Sequence, residues 1–348
     1  MILNQDLSRF GDAPALLFGG RPAIGYDELE RRVEQLARRL PRTKTLVAVE
    51  AAPSEHAIIA YLAALRRRHV VALLPPRDER SATAFIDRFS PELVYRPVAG
   101  RWRLAEGSGR RAGALHPDLA LLLETSGSTG AGKVVRISSD ALASNAAAIA
   151  EFLELTGNDR AGLMLPLHYS YGLSVLNSHL AVGASVYFPS GSILDRGFVG
   201  ELIAAGCTNL PCVPFSIELL EKIGFSAECL PALRFMTVAG GRLPPDLAAR
   251  CHRMLATAGK QLYLMYGQTE ATARIAYVPP DRTARYLDHI GVAVPGGELA
   301  LLDENWRVHR DIGHGRRARL SRSQHHDGLC RASRGSGARA RSGVVADR

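Results

Sequence analysis

Residues 125–133 read TSGSTGAGK, and the runs on either side constrain how the chain can fold there. An apolar run, 119–123, leads in, and the β-branched Val134, Val135 and Ile137 lead out. Glycines let a backbone turn tightly and bring its N–H groups close to a ligand, and hydroxyls and a lysine complete a cradle for phosphate oxygens. A nucleotide site is one reading. A Gly/Ser surface loop between two strands is the other.

Gly127 to Lys133 also fits the first seven positions of GxxxxGK[ST], the loop of Walker-type nucleotide hydrolases. Two features argue against it. Val134 follows the lysine where that loop needs a hydroxyl for magnesium, and residues 134–137 favour a strand where it needs a helix. Helical character starts later, where Ser139-Asp140 can cap the Ala-rich stretch 141–155. The prediction is a strand–loop–strand hairpin followed by a helix.

These residues resemble the phosphate loop of the adenylate-forming enzymes, the superfamily of acyl- and aryl-CoA synthetases, nonribosomal adenylation domains and luciferases. Far downstream, Tyr266-Gly267-Gln268-Thr269-Glu270 is similar to that family's YGxTE block, preceded by apolar residues 262–265. Weaker matches surround the two blocks. Ile24-Gly25-Tyr26-Asp27-Glu28-Leu29 resembles the family's opening helix. Leu165-Pro166-Leu167-His168 resembles its PLxH segment, Ala239-Gly240-Gly241-Arg242-Leu243-Pro244 its GGxPL segment, and Gly291-Val292-Ala293-Val294-Pro295-Gly296 its GxPxPG turn. The resemblance covers residues 6–308.

It implies an α/β fold with layered sheets flanked by helices, as in the large N-terminal domain of such enzymes. It also implies a reaction in which ATP and a carboxylic acid form an acyl-adenylate, with coenzyme A or a carrier protein's phosphopantetheine arm as acceptor. By the same resemblance Thr125, Ser126, Gly127, Ser128, Thr129, Gly130 and Lys133 would hold the phosphates. Thr269 would contact the α-phosphate, Glu270 would hold Mg²⁺, and Tyr266, Gly267 and Gln268 would line the nucleotide pocket with Gly240 and Gly241. The catalytic set is Thr269, Glu270, Lys133 and His168, with His168 bordering the acyl pocket. For Tyr266 and His168 a plain core role stays open, and Arg242 reads equally as a solvated arginine beside a turn. Amino-acid-activating relatives carry an aspartate after the PLxH segment. Tyr169-Ser170-Tyr171-Gly172-Leu173 offers no acid, which leans toward an acid without an α-amine.

Composition sets the outer bounds. With 47% hydrophobic and 22% charged residues this is ordinary globular make-up. No run of about 18 apolar residues is present to span a membrane. Five cysteines (Cys207, Cys212, Cys229, Cys251, Cys330) lack CxxC spacing and read as reduced thiols of a cytoplasmic protein. Of the net charge of +9, residues 309–348 carry +7. The remaining body is nearly neutral, with no basic stripe for nucleic acid. The cluster Arg66-Arg67-Arg68-His69 reads as an exposed helix end.

Up to Val308 apolar runs alternate with helical patterns. Strands are expected at 46–49, 70–74, 119–123, 162–165, 185–188 and 233–238, and helices at 29–40, 56–65, 141–155, 199–205 and 217–223, a pattern of sheets covered on both faces. From His309 the pattern stops. Residues 309–348 read either as a disordered basic tail or as the product of a shifted reading frame. Back-translating residues 316–334 and reading from the second base permits GELVYRGPNIMMGYAEHR, the kind of text the family carries after its GxPxPG turn. The expectation is an adenylation core, 1–308, cut short. The family's ribose-binding aspartate, hinge and small C-terminal domain with its catalytic lysine would be missing, and turnover would be impaired. A non-catalytic nucleotide-binding or interaction remnant and a Walker-type NTPase are the alternatives.

Overall fold

The computed structural model describes residues 6–107, 109, 113–125 and 133–302, with short strands at 308–309, 317–321, 329–330 and 345–346. Runs of β-branched residues and leucine form the inner strands of two sheets. In the larger sheet the parallel strands Pro14–Phe18, Ser185–Phe188, Arg160–Gly162, Asn209–Cys212, Phe235–Val238 and Gln261–Tyr266 lie side by side in that order. Ile24–Gly25 closes one edge, and Ala276–Val278 with Val292–Ala293 the other, all antiparallel. In the second sheet Leu93–Val98, Leu46–Glu50, Val70–Leu74 and Leu119–Thr125 are parallel, flanked by antiparallel Arg101–Glu106 and Lys133–Ser138.

Between the sheets lie the helices Tyr26–Ala37, Glu55–Arg66, Ser139–Phe152 and Ser170–Ala181, and one continuous core runs from sheet to sheet through them. All twelve residues of Ser170–Ala181 are buried. A helix covered on every side carries no amphipathic stripe, so no 3.6-residue period marked it in the sequence. On the outer face of the larger sheet, Phe198–Ala205, Pro214–Lys222 and Pro245–Thr257 contribute to a second core.

Several expected elements shift. The strand expected at 162–165 ends at Gly162. Leu163 N–H still reaches Tyr187 O at 2.8 Å before the chain turns toward Pro166, which has no N–H for a ladder. The cap of Ser139–Phe152 is Ser138, whose hydroxyl accepts from Ala141 N–H. Within the cluster at 66–69 only Arg67 and Arg68 are exposed. Arg66 pairs with Glu30 and Glu34, and His69 is fully buried. Arg68 adopts a left-handed φ of 56°, which turns the chain inward so that the His69 ring accepts from Thr45 N–H at 3.1 Å. Four free cysteines are described, and Cys207, Cys212 and Cys251 are buried. Glu298–Leu302 pairs antiparallel with Val308–His309 and Arg317–Ser321. The tail expected at 309–348 falls mostly outside the described residues.

Two buried histidines make the fold acid-sensitive. Burial is the main cause that pushes His69 and His179 each down to about 4. Both rings are therefore neutral when folded, and His179 Nδ1 meets Val175 O at 2.9 Å while Nε2 faces Asn209 Nδ2 at 3.1 Å. The unfolded chain titrates near the usual 6.5 and takes up protons first as pH falls. Stability from these groups is thus complete above 6.5 and is lost between about 6.5 and 4, roughly 3 kcal/mol for each ring. Thermal unfolding across that range should show a steep fall in Tm, made shallower by His69→Gln. A flat profile would contradict the assignment.

Candidate functional site

Three chain segments meet where the parallel strands of the larger sheet end. This is the edge at which open α/β sheets place their ligands. After Gln261–Tyr266 comes the turn Thr269–Ala271, after Phe235–Val238 come Gly240 and Gly241, and after Arg160–Gly162 come His168 and the start of helix Ser170–Ala181. Ser170 Oγ lies 3.0 Å from Thr269 Oγ1 and ties two of these segments together.

The Tyr266–Thr269 segment is held by backbone contacts. Tyr266 O accepts from Ile275 N–H at 2.9 Å, and Tyr266 Oη accepts from Gln268 Nε2 at 2.9 Å. Gly267 packs so closely on the returning chain that a Cβ there would stand 1.6 Å from Ala273 O. Thr272 and Ala273 both have positive φ, 56° and 87°, which is strained backbone for residues other than glycine. Glu270 is half-buried, and among the described residues its carboxylate is in no ion pair.

Opposite this turn, Gly240 has a φ of 85°, and a Cβ on it would meet the Tyr169 hydroxyl at 2.2 Å. Only glycine allows both the turn and that approach. Gly241 and Arg242 are exposed, the latter as a solvated arginine would be. His168 is half-buried, and its Nδ1 is enclosed with no partner among the described residues. Burial lowers its pKa, so the ring is neutral at neutral pH.

The hairpin lies on the second sheet. Thr125 and Lys133 face each other across its mouth, with Thr125 Oγ1 donating to Lys133 O at 3.4 Å, and Lys133 is exposed. A strand starts at Lys133, as expected for a hairpin and unlike a Walker loop. That strand lies against the turn Thr269–Ala271. Ser126, Gly127, Ser128, Thr129 and Gly130 lie outside the described residues.

Sequence reasoning missed Ser170, Tyr169 and Arg274 as site residues. Arg274 gave a signal that could have been used, because a charge interrupts the otherwise apolar run from Ala273 to Val278. It is 2% exposed, with its guanidinium 3.8 Å from the centre of the Tyr171 ring.

The residues present suit a magnesium nucleotide. Mg²⁺ is commonly held by one or two carboxylates together with substrate phosphates and water. Glu270 is such a carboxylate, next in the chain to the Thr269 hydroxyl, and no cluster of three His, Cys, Asp or Glu side chains occurs among the described residues to form an all-protein cage.

Comparison with known proteins identifies a family and a shared fold. The profile of the family described as AMP-binding enzyme matches residues 91–314. The probable CoA ligase CCL9 of Humulus lupulus is 30% identical over 353 residues, covering 87% of this chain and 65% of that protein. Novobiocin biosynthesis protein H of Streptomyces niveus is 25% identical over 327 residues, covering 85% of this chain and 53% of that protein. The chain thus spans between about half and two thirds of the length of these two relatives. Among solved structures, the N-terminal subdomain of Klebsiella oxytoca NpsA in complex with 3-hydroxyanthranilyl-AMSN superposes with a TM-score of 0.78 at 20% identity, covering 94% of this chain and 88% of that one. At that identity the likeness speaks for the fold. No helix among the described residues is long and apolar enough to cross a membrane.

Proposed function

The chain belongs to the family of AMP-binding enzymes, and from that premise we propose that it activates a small carboxylic acid with ATP, giving an acyl-adenylate for transfer to a thiol. The observation that carries this reading is the packing of the Thr269–Ala271 turn against the hairpin strand Lys133–Ser138, with Ser170 joining that turn and Tyr169 joining Gly240 at the start of one helix.

A carboxylate oxygen attacks the α-phosphorus, the bond from that phosphorus to the bridging oxygen breaks, and pyrophosphate leaves. Two anions must approach each other, so the main demand is charge neutralisation. Lys133 and the hairpin residues Thr125, Ser126, Gly127, Ser128, Thr129 and Gly130 receive the β- and γ-phosphates. Thr269, oriented by Ser170, donates to the α-phosphate. Glu270 holds Mg²⁺, which supplies positive charge to the phosphate oxygens. Tyr266, Gly267 and Gln268 border the base with Gly240 and Gly241, and neutral His168 borders the acid. The acceptor thiol belongs to coenzyme A or to an acyl or peptidyl carrier protein. These roles fall within residues 1–308; for residues 309–348 we propose a shifted reading frame, which sequencing the coding DNA tests, and a DNA with no shifted frame continuing the family pattern would refute it.

Calorimetry with ATP–Mg²⁺ and pyrophosphate exchange over a carboxylate panel test the proposal. ATP binding and acid-dependent exchange are expected. Binding without exchange for any acid would favour a non-catalytic nucleotide-binding domain, and absence of both would refute the reading.

A further inference from the structure

Arg274 is a buried cation that the described protein leaves unpaired. It is 2% exposed, and its Nε is enclosed without a hydrogen-bond partner. No carboxylate among the described residues reaches it. Among the described residues its charge lies over the face of Tyr171, 3.8 Å away, with Tyr169 next to that ring. An ionised group removed from water is costly unless it is paired, and arginine does not escape by losing its proton.

The surrounding structure holds the residue in this place. Asn145 Nδ2 donates to Arg274 O at 3.0 Å. Gly267 packs on its Cα, and the two preceding residues have positive φ. Tyr171 Oη bonds to Thr237 O and Oγ1, which fixes the ring beneath the guanidinium. Tyr169, the neighbouring aromatic, faces Gly240 across the site. The guanidinium therefore lies beside Tyr169 and Tyr171, which follow His168 in the chain and border the place where the acid binds in the proposed function.

We propose that Arg274 recognises a second anionic group on the acid, and that the substrate class is a dicarboxylic acid or an acid with an equivalent distal anion. This rests on the adenylation reading and names its substrate class. A distal carboxylate keeps its ion pair while the other carboxylate becomes a neutral acyl group. A pair with the reacting carboxylate would instead hold back its nucleophilic oxygen and be lost during reaction. A planar guanidinium backed by an aromatic face suits bidentate binding of a carboxylate. Tyr169 and Tyr171 at the start of the helix bring no negative charge to oppose it.

The test uses the full chain with ATP–Mg²⁺, a short series of saturated dicarboxylates and the monoamide of each. Binding is read by calorimetry and by ligand-dependent Tm, and adenylation by pyrophosphate exchange. One dicarboxylate should bind at least about tenfold more tightly than its monoamide. Arg274→Gln should abolish that preference, and Arg274→Lys should retain part of it. If the variants do not fold, the comparison of diacid with monoamide on the unmodified chain decides. Equal binding of the two, a preference unchanged in Arg274→Gln, or ATP binding with no diacid bound would each overturn the assignment while leaving adenylation intact. Failure to bind ATP and every acid would overturn both.

Discussion

Gly267→Ala is expected to cost about 3 kcal/mol, the upper end of overpacking penalties, and to lower Tm by roughly 5 °C or more. The new methyl would lie 1.6 Å from Ala273 O and 2.8 Å from its carbonyl carbon. Those are backbone atoms, so no rotamer change relieves the clash. The segment from Tyr266 to Arg274 must move, and with it the 3.0 Å contact between Thr269 and Ser170. ATP binding should therefore fall together with stability. Gly200 is the control, since it lies in the helix Phe198–Ala205 with nothing within 4 Å of a Cβ. Gly200→Ala should be neutral or stabilising by up to about 0.8 kcal/mol. Unfolding curves and calorimetry on both variants check this, and a wild-type Tm for Gly267→Ala would rule out the close packing described.

Glu270→Gln should separate chemistry from folding. The carboxylate is half-buried and in no ion pair among the described residues, so its loss leaves the fold without a broken contact. Tm should stay near the wild-type value. If Glu270 holds the magnesium that neutralises the phosphates, losing its charge removes about 3–4 kcal/mol of transition-state stabilisation, a fall of roughly 10²–10³-fold in pyrophosphate exchange. Raising the Mg²⁺ concentration should recover part of the rate. Exchange at the wild-type level in Glu270→Gln would remove the residue from the mechanism.

Much of the fold was legible where a segment touches solvent on one side or lies in a pleated apolar run. Residues 185–188 and 70–74 carry strand signatures that the structure matches to the residue. The reading failed where burial is complete or partners are distant. Ser170–Ala181 is buried all round because sheets and helices enclose it, with Asn177 and His179 hydrogen-bonded inside, so no period marks it. His69 follows three arginines and reads as surface, but the left-handed turn at Arg68 sends it inward. Glu79–Phe89, Leu93–Val98 and Arg101–Glu106 escaped notice because arginine, proline and serine interrupt their apolar patterns.

The sequence by itself pointed to the family. TSGSTGAGK, the valine after its lysine and the distant YGQTE block together resemble the phosphate loop and the acidic turn of that family, because two separate blocks in the right order rarely coincide. What only the tertiary structure decided is which other residues stand beside that turn. Gly240 needs its glycine because Tyr169 approaches it, and Ser170 matters because it reaches Thr269 from 99 residues away. Arg274 is one more charge in the sequence. Packing against Tyr171, with no carboxylate in reach among the described residues, makes it a buried cation in want of an anion, and that depends on long-range contacts that local sequence does not encode.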